Sequence, residues 1–119
     1  MTMHRTCMFA LTVSVVGCVQ PTRDRTVVYD VTIPDSIRPS TVGLRGSGAP
    51  LSWQRDTALT RTSDSTWRVV ITHRTGFLGV EVKLTADGRF ELENEANRRI
   101  PFAVDGDTTR VALRYGTRD

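Results

Sequence analysis

A chain of 119 residues that is 39% hydrophobic and 24% charged has the size of one domain. It is neither polar enough for wholesale disorder nor apolar enough for several membrane spans. Its formal charge of +3, from 16 basic and 13 acidic residues, does not call for a nucleic-acid partner, and 7% aromatic content in so short a chain leaves little material for a deep enzyme cleft.

The first twenty residues, MTMHRTCMFALTVSVVGCVQ, begin with His4 and Arg5 and continue into an apolar run from Cys7 to Val16. The run is about ten residues long, short of the ~20 that span a bilayer as a helix but suited to the apolar centre of a secretory signal. Its end, Val15-Val16-Gly17-Cys18, resembles the lipobox of bacterial lipoproteins. That resemblance implies a signal peptide over residues 1–17 and lipidation of Cys18. Val19 then replaces the aspartate associated with inner-membrane retention, which points to an outer-membrane anchor facing the periplasm or the cell surface. Simple secretion is the alternative. Residues 18–26 read as a lipidated polar tether, and residues 27–119 as the folded domain. Cys7 would be discarded and Cys18 acylated, leaving no thiol for a disulfide or a nucleophile.

From Val27 the pattern is one of short strands. VVYDVTI (Val27 to Ile33) alternates apolar and polar residues, and Pro34 stops it. TVGLR (Thr41 to Arg45) is a second strand, followed by a Gly-Ser-Gly-Ala-Pro loop. Asp56 to Thr62 reads as a weak edge. WRVVITH (Trp67 to His73) places Trp67, Val69 and Ile71 on one face, and VEVKLT (Val80 to Thr85) places Val80, Val82 and Leu84 inward with Glu81 and Lys83 outward. Asp87-Gly88 signals a tight hairpin into Arg89 to Glu93. Asn94 to Arg99 reads as a polar loop, and RVALRY (Arg110 to Tyr115) as the last strand. About seven such strands predict an all-β, immunoglobulin-like antiparallel β-sandwich.

Chemistry-bearing groups are few. His73 is the only histidine beyond the leader, no His/Cys spacing fits zinc, and Gly46-Ser47-Gly48 lacks the continuation of a phosphate loop. Glu91, Glu93 and Glu95 are spaced by two and read as the solvated face of an edge strand, since no loop supplies the oxygen ligands of a calcium cage. Hence no catalytic residue, metal or cofactor is expected. Trp53 stands in a polar loop and has two readings. It either plugs the end of the core, or it forms an exposed plate for a sugar ring, with Glu81, Lys83 and Asn97 as candidate hydrogen-bonding groups. Trp67 reads as core.

Five segments in order, VGLRGS (Val42 to Ser47), PLSW (Pro50 to Trp53), SDSTW (Ser63 to Trp67), VEVKL (Val80 to Leu84) and ENEANR (Glu93 to Arg98), resemble the starch-binding domains of carbohydrate-binding family 20 and the related glycogen-binding modules. The resemblance implies non-catalytic binding of an α-1,4-glucan by Trp53 as a stacking ring, Lys83 and Asn97 bonding hydroxyls, and Glu81 as a further polar contact. The family's second tryptophan falls on Leu92 when counted back from Asn97 and on Phe90 when counted through the hairpin, and Phe90 keeps a π face. The implied partners are starch or glycogen, a membrane reached through the lipid alone, and a separate amylase or envelope protein. The competing expectation is a structural or protein-interaction lipoprotein that has lost sugar binding and docks a partner through its arginines.

Overall fold

The computed structural model describes residues 21–118. The expected leader over residues 1–17 and the lipidation candidate Cys18 lie outside the described residues. Among the described residues there are nine strands: β1 (Arg23–Thr32), β2 (Val42–Gly46), β3 (Thr57–Ala58), β4 (Thr60–Arg61), β5 (Thr66–Thr75), β6 (Gly79–Ala86), β7 (Arg89–Phe90), β8 (Arg98–Pro101) and β9 (Thr108–Arg114). They form two sheets, one ordered β4-β5-β1-β9 and the other β3-β2-β6 with β7 and β8 both pairing with β6. The fold is all-β, as expected, but not wholly antiparallel: β9 runs parallel to β1, from Thr26 against Thr108 to Thr32 against Arg114. A parallel neighbour cannot be joined by a hairpin, and here the two are the first and last of the described strands.

Alternation decides which side chains meet. Val27, Tyr29 and Val31 of β1 and Trp67 and Ile71 of β5 join Val42 and Leu44 of β2, Val80, Val82 and Leu84 of β6 and Ile100 of β8 in one buried cluster. Trp67 is therefore core. The Tyr29 hydroxyl is sealed in the same cluster without a hydrogen-bond partner, and burial raises its pKa above the ordinary tyrosine value. The weak edge after Asp56 is two strands rather than one: β3 pairs with β2 and β4 with β5, and the chain changes sheet at buried Leu59. Asp87-Gly88 forms the expected two-residue turn between β6 and β7, with φ of 49° and 81°.

Several strand boundaries differ from expectation. β1 begins at Arg23 rather than Val27, since Arg23 to Thr26 continue the ladder with Thr72 to Thr75 of β5; residues expected in the polar tether are thus strand. The hairpin strand β7 ends at Phe90, because Glu91 turns inward and Leu92 takes a left-handed φ of 49°. The three glutamates consequently share no face. Arg98, expected in a polar loop, belongs to β8 and is buried.

The buried Glu91 and Arg98 are each other's explanation. Arg98 donates through Nε and Nη2 to the two Glu91 carboxylate oxygens at 2.7 and 2.8 Å. Its Nη2 also reaches the carbonyls of Arg114 and Thr117 at 2.7 and 2.6 Å. The carboxylate accepts the Leu84 and Gly116 backbone N–H groups at 3.0 and 2.9 Å. This network links β6 and β8 of one sheet to the end of β9 in the other. It also fills the gap along β6 where neither β7 nor β8 pairs, so the segment from Glu91 to Asn97 can leave the sheet without orphaning its edge.

Candidate functional site

The segment that leaves the sheet and the loop between β2 and β3 border a shallow recess of about 260 Å³ on the outer side of the β2–β6 sheet. Its lining is Trp53, Lys83, Phe90, Glu93 and Asn97. Four residues singled out in the sequence thus come together, although they are spread over four different segments of the chain.

Each is held locally. Gly48 accepts the Leu51 N–H through its carbonyl at 2.8 Å, and Leu51, not Trp53, inserts into the core. Trp53 is half-buried and outside the core cluster, so the core-plug reading does not hold. Lys83 projects from β6 opposite Arg45 of β2 and is buried there rather than solvated. Its ammonium donates to the Leu92 carbonyl at 2.8 Å, which leaves two of its three protons for another acceptor. Phe90 is the second residue of β7 after the hairpin turn and pairs with Thr85. Asn97 donates through Nδ2 to Glu81 Oε1 at 3.2 Å. Glu81 itself does not line the recess; it orients the amide that does. Leu92 contributes only its carbonyl.

Arg45 was not singled out in the sequence, yet it connects the two aromatic residues. Its Nε bonds Asp56 at 2.7 Å, its Nη1 donates to the Trp53 carbonyl at 2.9 Å, and its guanidinium carbon lies 5.0 Å from the Phe90 ring centroid. That distance suits a cation–π contact. The signal for it was present in VGLRG, where Val42 and Leu44 point inward and Arg45 must point outward onto the face that carries Lys83. Glu93, read only as part of a solvated row, adds a carboxylate to the rim.

Chemically, the recess offers two aromatic rings, an ammonium, an amide and a carboxylate around a volume below the ~300–1,000 Å³ of pockets that enclose a drug-sized ligand. Such a surface can grip one part of a larger molecule from one side. His73 lies elsewhere: it is buried, with Nδ1 3.0 Å from the Ala49 carbonyl and its ring 5.9 Å from that of Phe102. Among the described residues, no group of three or more His, Cys, Asp or Glu side chains is placed to hold a metal ion. In comparisons with known proteins, no family model and no curated protein matches the chain.

Proposed function

We propose that this protein is a non-catalytic carbohydrate-binding module of starch-binding type, an immunoglobulin-like β-sandwich that holds an α-1,4-glucan at the bacterial envelope. The observation that carries this reading is the meeting of Trp53, Lys83, Phe90 and Asn97 around one recess. Trp53 and Phe90 cover the C–H face of a glucose unit, while Lys83 and Asn97 bond its hydroxyls and Glu81 fixes the Asn97 amide. Polymer is retained without bond cleavage, near the cell or near a separate amylase. The lipobox-like Gly17-Cys18 supports attachment through acylated Cys18, most simply to the outer membrane.

The test is affinity electrophoresis of the protein through gels containing amylose or glycogen. Retardation is expected, and Trp53→Ala should abolish it without altering the unfolding midpoint by more than a few degrees. Unretarded migration at every soluble polymer concentration would refute the glucan reading and leave the protein-interaction alternative. That alternative predicts co-purification with an envelope protein, insensitive to Trp53→Ala and weakened by salt.

A further inference from the structure

Among the described residues, the large exposed apolar side chains are Val70, Phe77, Leu78 and Val104. Three of them belong to two loops at one end of the molecule. Phe77 and Leu78, 78% and 66% exposed, form the turn between β5 and β6, and Val104, 94% exposed, lies between β8 and β9. The Phe102 N–H donates to the Leu78 carbonyl at 2.9 Å, so the two loops form one tip. Behind it is a groove of about 540 Å³ bordered by Phe77, Leu78, Phe102 and His73.

The chain emerges at this same tip. Arg23, the first residue of β1, is in register with Thr75, two positions before Phe77. Between Cys18 and Arg23 there are five residue steps, which extend no further than about 18 Å at roughly 3.3–3.6 Å each. The opposite end of the ladder, where Thr32 meets Thr66, is roughly 30 Å away along the strands. An acyl anchor on Cys18 would thus keep Phe77, Leu78 and Val104 close to the bilayer and direct the far loops into the water. We infer that this apolar tip docks into the surface of the lipid bilayer, and the inference rests on the proposed acylation of Cys18.

Charge points the same way. Arg23, Arg25, Arg74 and Arg99 near the tip stand against Asp24, Asp105 and Asp107, an excess of one positive charge; Arg74 is bonded to Asp24 at 3.2 Å and Arg25 to the Ala103 carbonyl at 3.1 Å. The surface is therefore apolar with a nearly neutral rim. It suits the interfacial zone of a neutral lipid and needs no anionic headgroup, in contrast to polybasic attachment. The acyl chains retain the protein and the tip sets its orientation. The glucan recess, on β6 at Lys83, lies about 13 Å along the strand from Gly79 and stays open to solvent.

The experiment uses the full chain, processed in a bacterial host, purified in detergent and reconstituted into phosphatidylcholine vesicles. An environment-sensitive dye is attached through Phe77→Cys or, at the far end, through Ser36→Cys. Expected is a blue-shifted emission at position 77 that lipid-borne nitroxides quench at least twofold, with position 36 unaffected. Adding Leu78→Asp and Val104→Asp to the Phe77→Cys protein should abolish the quenching. The mass of the purified protein reports acylation separately. Acylated protein whose dye at position 77 remains in water would overturn the docking and spare the anchor. A blue shift without quenching means that another protein copy covers the tip, which also overturns it. An unacylated Cys18 removes the anchor reading and the docking together.

Discussion

Replacing Arg98 with methionine tests whether the Glu91–Arg98 network sustains both the fold and the recess. Arg98 and Glu91 side chains are 7% and 0% exposed, so the substitution strands a carboxylate that water cannot reach. Removing one partner of a buried pair costs about 3–5 kcal/mol, against a total of about 5–15 kcal/mol for a domain. At about 4–8 °C per kcal/mol for a domain near this size, the unfolding midpoint should fall by roughly 12–40 °C. Thermal unfolding followed by circular dichroism measures it, with Arg68→Met as the control. Arg68 bonds Asp30 at 2.6 Å, shorter than either Arg98 contact with Glu91, yet both its side chain and that of Asp30 are about half exposed; that variant should barely move the midpoint. Pairing Arg98→Met with Glu91→Leu should recover part of the loss, because no lone charge remains. Full recovery is not expected, since the Leu84 and Gly116 N–H groups and the Arg114 and Thr117 carbonyls lose their partners, at about 1–3 kcal/mol for each one left buried and unsatisfied. Equal midpoint changes for Arg98→Met and Arg68→Met would refute the reasoning.

Tyr29→Phe removes a buried hydroxyl that has no partner and should stabilise the protein by about 1 kcal/mol or more in urea denaturation. Burial raises the Tyr29 pKa, so above about pH 10 the unfolded chain releases this proton while the folded protein keeps it. Stability is thus intact below that pH and falls as pH rises beyond it; Tyr29→Phe should lessen the alkaline fall, and an unchanged alkaline profile would contradict this. Arg45→Lys keeps the charge but cannot hold Asp56 and the Trp53 carbonyl while lying over Phe90. Glucan affinity should weaken severalfold for a stability loss of about 1 kcal/mol, measured by calorimetry and urea unfolding. Phe90→Trp enlarges the second ring and should tighten glucan binding roughly two- to tenfold, the equivalent of an aromatic contact of about 0.5–1.5 kcal/mol; unchanged affinity would mean that Phe90 does not stack.

Period-two patterning was legible where one face of a strand meets the core. Val80, Val82 and Leu84 lie inward as read, and Trp67 joins Ile71 in the cluster. The same reasoning misplaces the start of β1. Arg23 to Thr26 extend along β5 beyond the core, where a ladder needs hydrogen bonds but no apolar residues, so no pattern marks them. Glu91 read as part of a solvated strand face and Arg98 as part of a polar loop because the burial of Glu91 depends on Arg98 and on carbonyls at residues 114 and 117, contacts that no local window contains. Within the site, Trp53 was conspicuous because it stands in a polar loop, Lys83 and Asn97 were read beside it as polar groups of an outward strand face and a polar loop, and Phe90 entered through the family resemblance. Arg45 looked like any outward arginine, since its importance comes from two partners that the folded loop between β2 and β3 brings within reach and from Phe90 on β7.

The network and the recess are mechanically connected, and this bears on how one tryptophan and one phenylalanine could hold a sugar. Loop ordering on binding costs about 0.5–1.5 kcal/mol for each immobilised side chain, enough to cancel a weak platform. Here much of that ordering precedes the ligand: Arg45 fixes the Trp53 carbonyl, Glu81 the Asn97 amide, Leu92 the Lys83 ammonium, and the Glu91–Arg98 pair clamps both ends of the segment that carries Glu93 and Asn97. A bond lost under the recess should therefore weaken sugar binding even where the chain stays folded. At a temperature well below its lowered midpoint, Arg98→Met should still bind glucan more weakly than Arg68→Met, because the rings remain while the polar groups lose their support.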